Sequence, residues 1–304
     1  MKKSFFCLFL ISLLLGGCKT IKPAHVIITA GQSNTDGRVP NQQLPDYIKA
    51  MATDSTFNEG AYRYCKISQN RVDGKFIPFW PRTSRSSSPN AWTYDAVTYY
   101  LLEQEFQEDF YVIKWAIGGT SIAPPSKPSP NGNYWCADPK WLSENAATSK
   151  INDETGERGK SLLLSLTDEI DACIDQTLSK LKKGYKIDAF LWHQGESDQK
   201  RGKNYYENLK AVVTYIRSHL SEKTGKNYSN LPFILGTIPT NSRQYSIDVE
   251  TGMKRLAEGD PYVYLIDMSV RELQRDSIHF NHNDAKFLGE EMYNCLINVL
   301  NRNK

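Results

Sequence analysis

Five near-continuous apolar runs alternate with stretches of helical period along this chain. The runs cover residues 25–30, 110–117, 187–193, 231–237 and 262–266, and most end at or near a glycine. A strand with one wet face alternates apolar and polar residues, whereas a run that is apolar throughout has both faces covered. Helical spacing joins Trp92, Val97, Tyr100 and Leu101, with Asn90 placed to cap them. It joins Leu162, Leu166, Ile170, Cys173, Leu178 and Leu181 in a longer segment that stops near Gly184. Leu209, Val212, Val213, Ile216 and Leu220 mark another helix, and Phe287, Leu288, Met292, Cys295, Leu296 and Val299 the last. This alternation predicts an α/β fold: a three-layer α/β/α sandwich around a five-stranded, mostly parallel sheet. No internal repeat interrupts it.

Two stretches break the rhythm. Residues 82–89 are rich in Ser, and residues 121–160 hold many Pro, Asn and Gly residues with no clear element. A long connection without structure is uncommon in a compact domain and generally carries function or is disordered. Both stretches adjoin predicted strand ends, so they either wall a site there or decorate the surface.

The N-terminus reads as an address. Met1-Lys2-Lys3 is a basic start, and residues 5–15 form an apolar run too short to span a bilayer comfortably. Leu15-Gly16-Gly17-Cys18 resembles the bacterial lipobox, in which cleavage falls before the Cys and lipid is added to its thiol. The expected organisation is a lipoprotein signal peptide over 1–17, a lipid-anchored linker over 18–24, and one domain over 25–304 with an inserted loop around 121–160. That predicts a bacterial cell-envelope protein, periplasmic or at the outer membrane or surface; an ordinary secretory signal would make it secreted. Cleavage removes Lys2 and Lys3 and takes the formal charge from +3 to +1. A charge so near zero gives no reason to expect a nucleic-acid partner. Beyond the anchor, Cys173 and Cys295 fall on apolar helix faces, while Cys65 and Cys136 fall in loop-like segments and could pair in an oxidising compartment.

In open α/β sheets ligands bind outside the carboxyl ends of the strands, so reactive residues just after each run matter most. Gly31-Gln32-Ser33-Asn34 follows the first run, Gly118-Gly119-Thr120-Ser121 the second, and His193-Gln194-Gly195-Glu196-Ser197 the third. Asp276-Ser277-Ile278-His279 precedes the last helix. Together these places offer a hydroxyl, backbone donors, a carboxamide, and an acid beside an imidazole.

In this order, Gly31-Gln32-Ser33-Asn34, Gly118-Gly119, His193-Gln194-Gly195-Glu196 and Asp276-x-x-His279 resemble the sialate O-acetylesterase-like branch of the SGNH/GDSL hydrolases. That branch includes the acetylxylan esterases of carbohydrate esterase family six. The resemblance implies a flavodoxin-like SGNH sandwich and a serine esterase acting on O-acetyl groups of sialic acid, xylan or another acetylated glycan. Ser33 would be the nucleophile and His279 its base, with Asp276 orienting the imidazole. The oxyanion would be met by the Ser33 N–H, the Gly119 N–H and the Gln194 side-chain amide. Gln194 stands where many SGNH enzymes carry Asn. Glu196 is an alternative acid partner. His193, Gln32 and Asn34 sit at the same rim as candidate substrate contacts.

Gly31-Gln32-Ser33-Asn34 is not the Gly-x-Ser-x-Gly elbow of α/β-hydrolases. A phosphate-binding reading of the Gly31 loop lacks the following Lys and leaves Asp276 and His279 unexplained. Asp276, His279, His282 and Asp284 lack a distant ligand set, so no metal is expected, and the implied chemistry needs no organic cofactor. The expected partners are an acetylated carbohydrate and, through the lipid alone, a membrane. Trp135 and Tyr134 could stack on sugar rings; Trp192, on a strand, suits core packing better. The competing readings are a noncatalytic glycan-binding lipoprotein and an SGNH esterase or lipase for a different acyl ester.

Overall fold

The computed structural model describes residues 22–51, 62–81, 91–124, 134–145 and 161–302. The first strand, β1 (Ala24–Gly31), leads into a one-turn helix, α1 (Ser33–Asp36). Then come β2 (Val39–Pro40), α2 (Asp46–Met51), β3 (Cys65–Gln69), β4 (Ile77–Pro78), β5 (Ala91–Trp92), α3 (Tyr94–Phe106) and β6 (Phe110–Ala116). The second half holds α4 (Pro139–Asn145), α5 (Leu162–Gln176), β7 (Tyr185–His193), α6 (Tyr205–Thr224), β8 (Phe233–Gly236), α7 (Ile247–Gly259), β9 (Val263–Ile266) and α8 (His282–Arg302).

Seven strands form the main sheet in the order β4-β3-β6-β1-β7-β8-β9, and β2 pairs with β5 apart from it. All five runs read from sequence lie in the main sheet, every one parallel to its neighbours. The count of five is corrected to seven. β3 joins β6 in parallel, and β4 closes that edge antiparallel.

Period-two geometry sends alternate side chains of β1 to opposite faces. Val26, Ile28 and Ala30 join one core with α5, α6 and α7, while Ile27 joins the other with α3 and α8. All four are fully buried, which explains why the run is near-continuously apolar. Lys114 is the exception within β6. Its ammonium is buried against Asp95 at the start of α3. Burial pushes the Asp95 carboxyl above its ordinary value, and Lys114 works against that push.

Several local readings shift. Trp92 lies in β5 rather than in the helix; α3 starts at Tyr94 behind Thr93, and Asn90 is outside the described residues. α5 ends at Gln176, and Leu178 belongs to a short 3-10 turn. Part of the 121–160 stretch is ordered. Tyr134 bridges Ser121 and Ser161, and α4 follows with Pro139 as its first residue. The Ser-rich residues 82–89, residues 125–133 and 146–160, and Cys18 with the whole signal segment lie outside the described residues. Cys65 and Cys136 are both free thiols. Cys65 belongs to the α3/α8 core, whereas Trp135, next to Cys136, belongs to the opposite one.

A buried acid supports the turn after β3. Asn70 and Val72 both have left-handed backbone, at φ 50° and 53°. Glu169 of α5 accepts the Arg71 N–H between them at 2.7 Å. Burial pushes the Glu169 carboxyl up to about 7, against the hydrogen bonds from Arg71, Ser68 and Val72. A folded-state value above the unfolded one favours the native state fully at low pH. That advantage declines as pH rises from the unfolded value and levels off above about 7. Glu169→Gln is therefore expected to gain stability relative to wild type across that interval, by about 3 kcal/mol at its end. Urea unfolding at a series of pH values reads this directly; a stability gap independent of pH would refute it.

Candidate active site

Three strand-end segments and the loop before α8 meet at one rim of the sheet. β1 and β7 approach so closely at their carboxyl ends that only glycine fits at Gly31. Its φ is 151°, and a Cβ there would sit 2.1 Å from the His193 carbonyl oxygen. The Gln32 N–H donates to that same oxygen at 3.1 Å. The chain then turns into α1, with Ser33 first. Thr35 and Asp36 donate back to the Gln32 carbonyl, and Gly37 to that of Ser33. Ser33 is 5% exposed, and its hydroxyl has no hydrogen-bond partner among the described residues.

β6 delivers the glycine pair beside it. Ile117 donates to the Gly31 carbonyl at 3.3 Å. A Cβ on Gly118 would lie 3.4 Å from the Ser33 Cβ, so the two residues are neighbours. Gly119 has φ 72°, a left-handed value, and faces open space. Among the described residues no acceptor meets the N–H of Ser33 or of Gly119.

The loop before α8 folds around its own acid. Asp276 Oδ1 accepts the N–H groups of Ile278 and His279 at 2.9 and 3.0 Å. Its Oδ2 lies 2.6 Å from His279 Nδ1. Partial burial works against the Asp276 charge, but the two backbone donors and the imidazole outweigh it and hold the carboxyl below its ordinary value. The His279 side chain keeps 20% of its surface exposed.

Asn34 joins this loop to the Ser33 turn. Its Nδ2 donates to the Ile278 carbonyl at 3.3 Å, and its Oδ1 accepts the Phe280 N–H at 3.1 Å. The two residues flanking His279 are thus gripped by the residue after Ser33. The same Nδ2 donates to Glu196 Oε1 at 2.8 Å.

Glu196 and His193 are fully buried. They meet each other, with His193 Nε2 3.1 Å from Glu196 Oε1, and His193 packs on the Phe280 ring. Burial opposes the Glu196 charge, yet His193 and Asn34 together hold its carboxyl below the ordinary value. The acid beside His279 is therefore Asp276, and Glu196 holds up Asn34 from below. Neither His193 nor Glu196 reaches the surface to touch substrate. Gln32 and Asn34 are also buried, and the Gln32 side-chain oxygen faces Ser197 N and Gln194 Nε2.

Gln194 departs from the expectation that it donates to an oxyanion. It is fully buried, and its amide nitrogen donates to Asp198 Oδ2 at 2.6 Å and to the Thr120 carbonyl at 3.1 Å. An amide has two N–H bonds, so both are occupied. Tyr205 fixes the other end by donating to the Gln194 oxygen at 3.1 Å. The expected sugar platforms also fall away. Trp135 is fully buried edge-on to Trp192, with ring centres 5.1 Å apart, and Tyr134 is buried.

Two functional supports escape sequence reasoning. Asp198 accepts the N–H groups of Ile122 and Ala123 at 2.8 and 3.2 Å, which ties the segment after Gly119 to the one after β7. Burial raises its carboxyl above the ordinary value despite these bonds. Its position two residues after Glu196, in the same strand-end segment, is the signal that could have found it. Arg38 is the other, and nothing in its local sequence marks it.

The chain is similar to known proteins in sequence and in fold. The model of the family described as carbohydrate esterase, sialic acid-specific acetylesterase matches residues 155–298. NanS superposes with a TM-score of 0.59 at 10% identity, covering 92% of this chain and 99% of its own. A protein of Arabidopsis thaliana gives 0.58 at 17% identity, over 91% of this chain and 98% of that one. A carbohydrate acetylesterase from Xanthomonas citri gives 0.52 at 13% identity over 88% of this chain, which spans 55% of its length. Identities this low establish a common fold. No curated protein matches the chain. Residues 155–298 are thus similar to the carbohydrate esterase, sialic acid-specific acetylesterase family, and the superpositions show a fold shared with NanS and the Xanthomonas citri carbohydrate acetylesterase.

Proposed function

We propose that Ser33, His279 and Asp276 serve as nucleophile, base and acid in removing O-acetyl groups from a carbohydrate. The observation that carries this reading is the Asp276–His279 pair, 2.6 Å apart, on a loop that Asn34 grips on both sides of His279. With Nδ1 donating to Asp276, the Nε2 of His279 is left as the basic nitrogen. Ser33 Oγ attacks the acetyl carbon while its proton passes to Nε2. The tetrahedral oxyanion is met by the N–H groups of Ser33 and Gly119. Collapse breaks the bond to the sugar oxygen, which leaves with the proton from His279. Water then attacks the acetyl-enzyme, losing its proton to the same nitrogen, and acetate departs.

Acetate release from 4-nitrophenyl acetate, acetylated xylan and O-acetylated sialic acid tests the reading. Wild type is expected to turn over, and Ser33→Ala to lose about 10⁴-fold or more in kcat. A Ser33→Ala protein that keeps a tenth of the activity would exclude the serine mechanism. Faster turnover of long-chain esters than of acetyl esters would move the substrate away from acetylated glycans.

We also assign lipid attachment to Cys18, on the 15–18 motif alone. Wild type is expected in the membrane fraction and Cys18→Ala in the soluble one; a Cys18→Ala protein still in the membrane fraction would remove the anchor.

A further inference from the structure

The mechanism above leaves the oxyanion with two backbone donors, because the Gln194 amide is held by Asp198 and Thr120. A cation stands beside that incomplete hole. Arg38 follows α1, and its Nη1 bonds to Asp36 Oδ2 at 2.8 Å and to the Gly37 carbonyl at 2.6 Å. These bonds fix the guanidinium, and its Nη2 lies against Gly118. A Cβ on Gly118 would sit 2.4 Å from Nη2 and 3.4 Å from the Ser33 Cβ. The guanidinium, Gly118 and the nucleophilic residue thus crowd around a single point. The Arg38 main chain is tied to the base loop as well. Gln274 Nε2 donates to the carbonyls of both Arg38 and Phe280 at 2.9 Å. The Arg38 side chain keeps 16% of its surface exposed, so its charge is partly shielded from solvent.

We propose that Arg38 is a positioning and charge-stabilising residue of the esterase site. It braces the Gly118–Gly119 peptide and supplies the positive potential that Gln194 does not. The inference rests on the serine reading of the site. The substrate carbonyl is neutral in the ground state and anionic in the tetrahedral state, so a nearby fixed cation lowers the barrier more than it tightens binding. Asp36 offsets part of the charge, but the group touching Gly118 is the guanidinium.

The bland alternative is that Arg38 only neutralises the buried Asp36. Four proteins separate the two readings: Arg38→Lys, Arg38→Gln, Arg38→Ala, and the double variant Asp36→Asn/Arg38→Gln, which leaves no unpaired buried carboxylate. Each is assayed with 4-nitrophenyl acetate and by thermal unfolding. Arg38→Gln and the double variant are expected to lose about 10- to 100-fold in kcat, with KM within about threefold of wild type. Arg38→Lys should recover part of that loss, and added guanidinium ion should raise the kcat of Arg38→Ala.

A double variant with kcat within twofold of wild type overturns the proposal. So does a loss of kcat that tracks thermal destabilisation and answers to neither Lys nor guanidinium ion. A loss confined to acidic sugars, with 4-nitrophenyl acetate unaffected, overturns it in favour of a direct contact with a substrate carboxylate. Ser33→Ala is run alongside: if it retains turnover, the serine reading itself has failed.

Discussion

Asp276→Asn is expected to fold like the wild type and to turn over about 10²- to 10⁴-fold more slowly. An asparagine oxygen can keep the two bonds that Asp276 Oδ1 accepts from Ile278 and His279, so the loop retains its shape. The change falls on the other atom. An NH₂ group replaces Oδ2 opposite His279 Nδ1 and donates to it. That places the ring proton on Nε2, the nitrogen that accepts from Ser33 in the proposed mechanism. Raising the pH does not cure a wrong tautomer, so the loss should persist across the alkaline range. The measurement is kcat at saturating substrate, with the thermal midpoint as the check on folding. A kcat within fivefold of wild type would show that the Asp276–His279 bond is structural.

Asn34→Ala is expected to damage stability and rate together. Three groups lose a partner at once: the Glu196 carboxylate, the Ile278 carbonyl and the Phe280 N–H. Phe280 and Glu196 are buried, so water does not replace what is removed. A loss of about 2–4 kcal/mol follows from leaving such groups unsatisfied. Without the clamp the loop loses its direct tie to the residue after Ser33, and misplacement by an ångström can cost about 10²-fold in rate. Urea unfolding gives the first effect and kcat the second. Asn34→Ala with weakened stability and undiminished kcat would show that the clamp does not position His279.

These residues were legible in the sequence to different depths. The five runs announced themselves because most of their side chains are apolar and buried, Lys114 being an exception. β3 did not: three of its five residues, Lys66, Ser68 and Gln69, are polar, so the segment reads as a loop. β4 and β5 are two residues long, below any periodicity. Trp92 was drawn into the helix by its spacing from its neighbours, although Thr93 was the nearer cap. Asp276 and His279 were visible as a pair because three residues separate them. Gln194 was visible as a rim residue, but its hydrogen bonds were not. They depend on Asp198 and Tyr205, whose nearness to the amide is set by the 3-10 segment over Glu196–Asn204 that follows β7. Arg38 became informative only once Gly118 was known to lie against it.

The Asn34 clamp has a temporal meaning as well as a geometric one. It joins residues 244 and 246 positions apart, nearly the two ends of the chain. Contacts of such long sequence separation form late, because a large loop must close before they form. A chain emerging from synthesis or export carries Ser33 from its first moments, yet it lacks the segment that holds the base until almost the last residues have appeared. The proposed catalytic site is therefore assembled last. A chain cut short before Phe280 keeps Ser33 but cannot complete the clamp, so on the proposed mechanism a partly made or truncated copy is expected to be chemically silent.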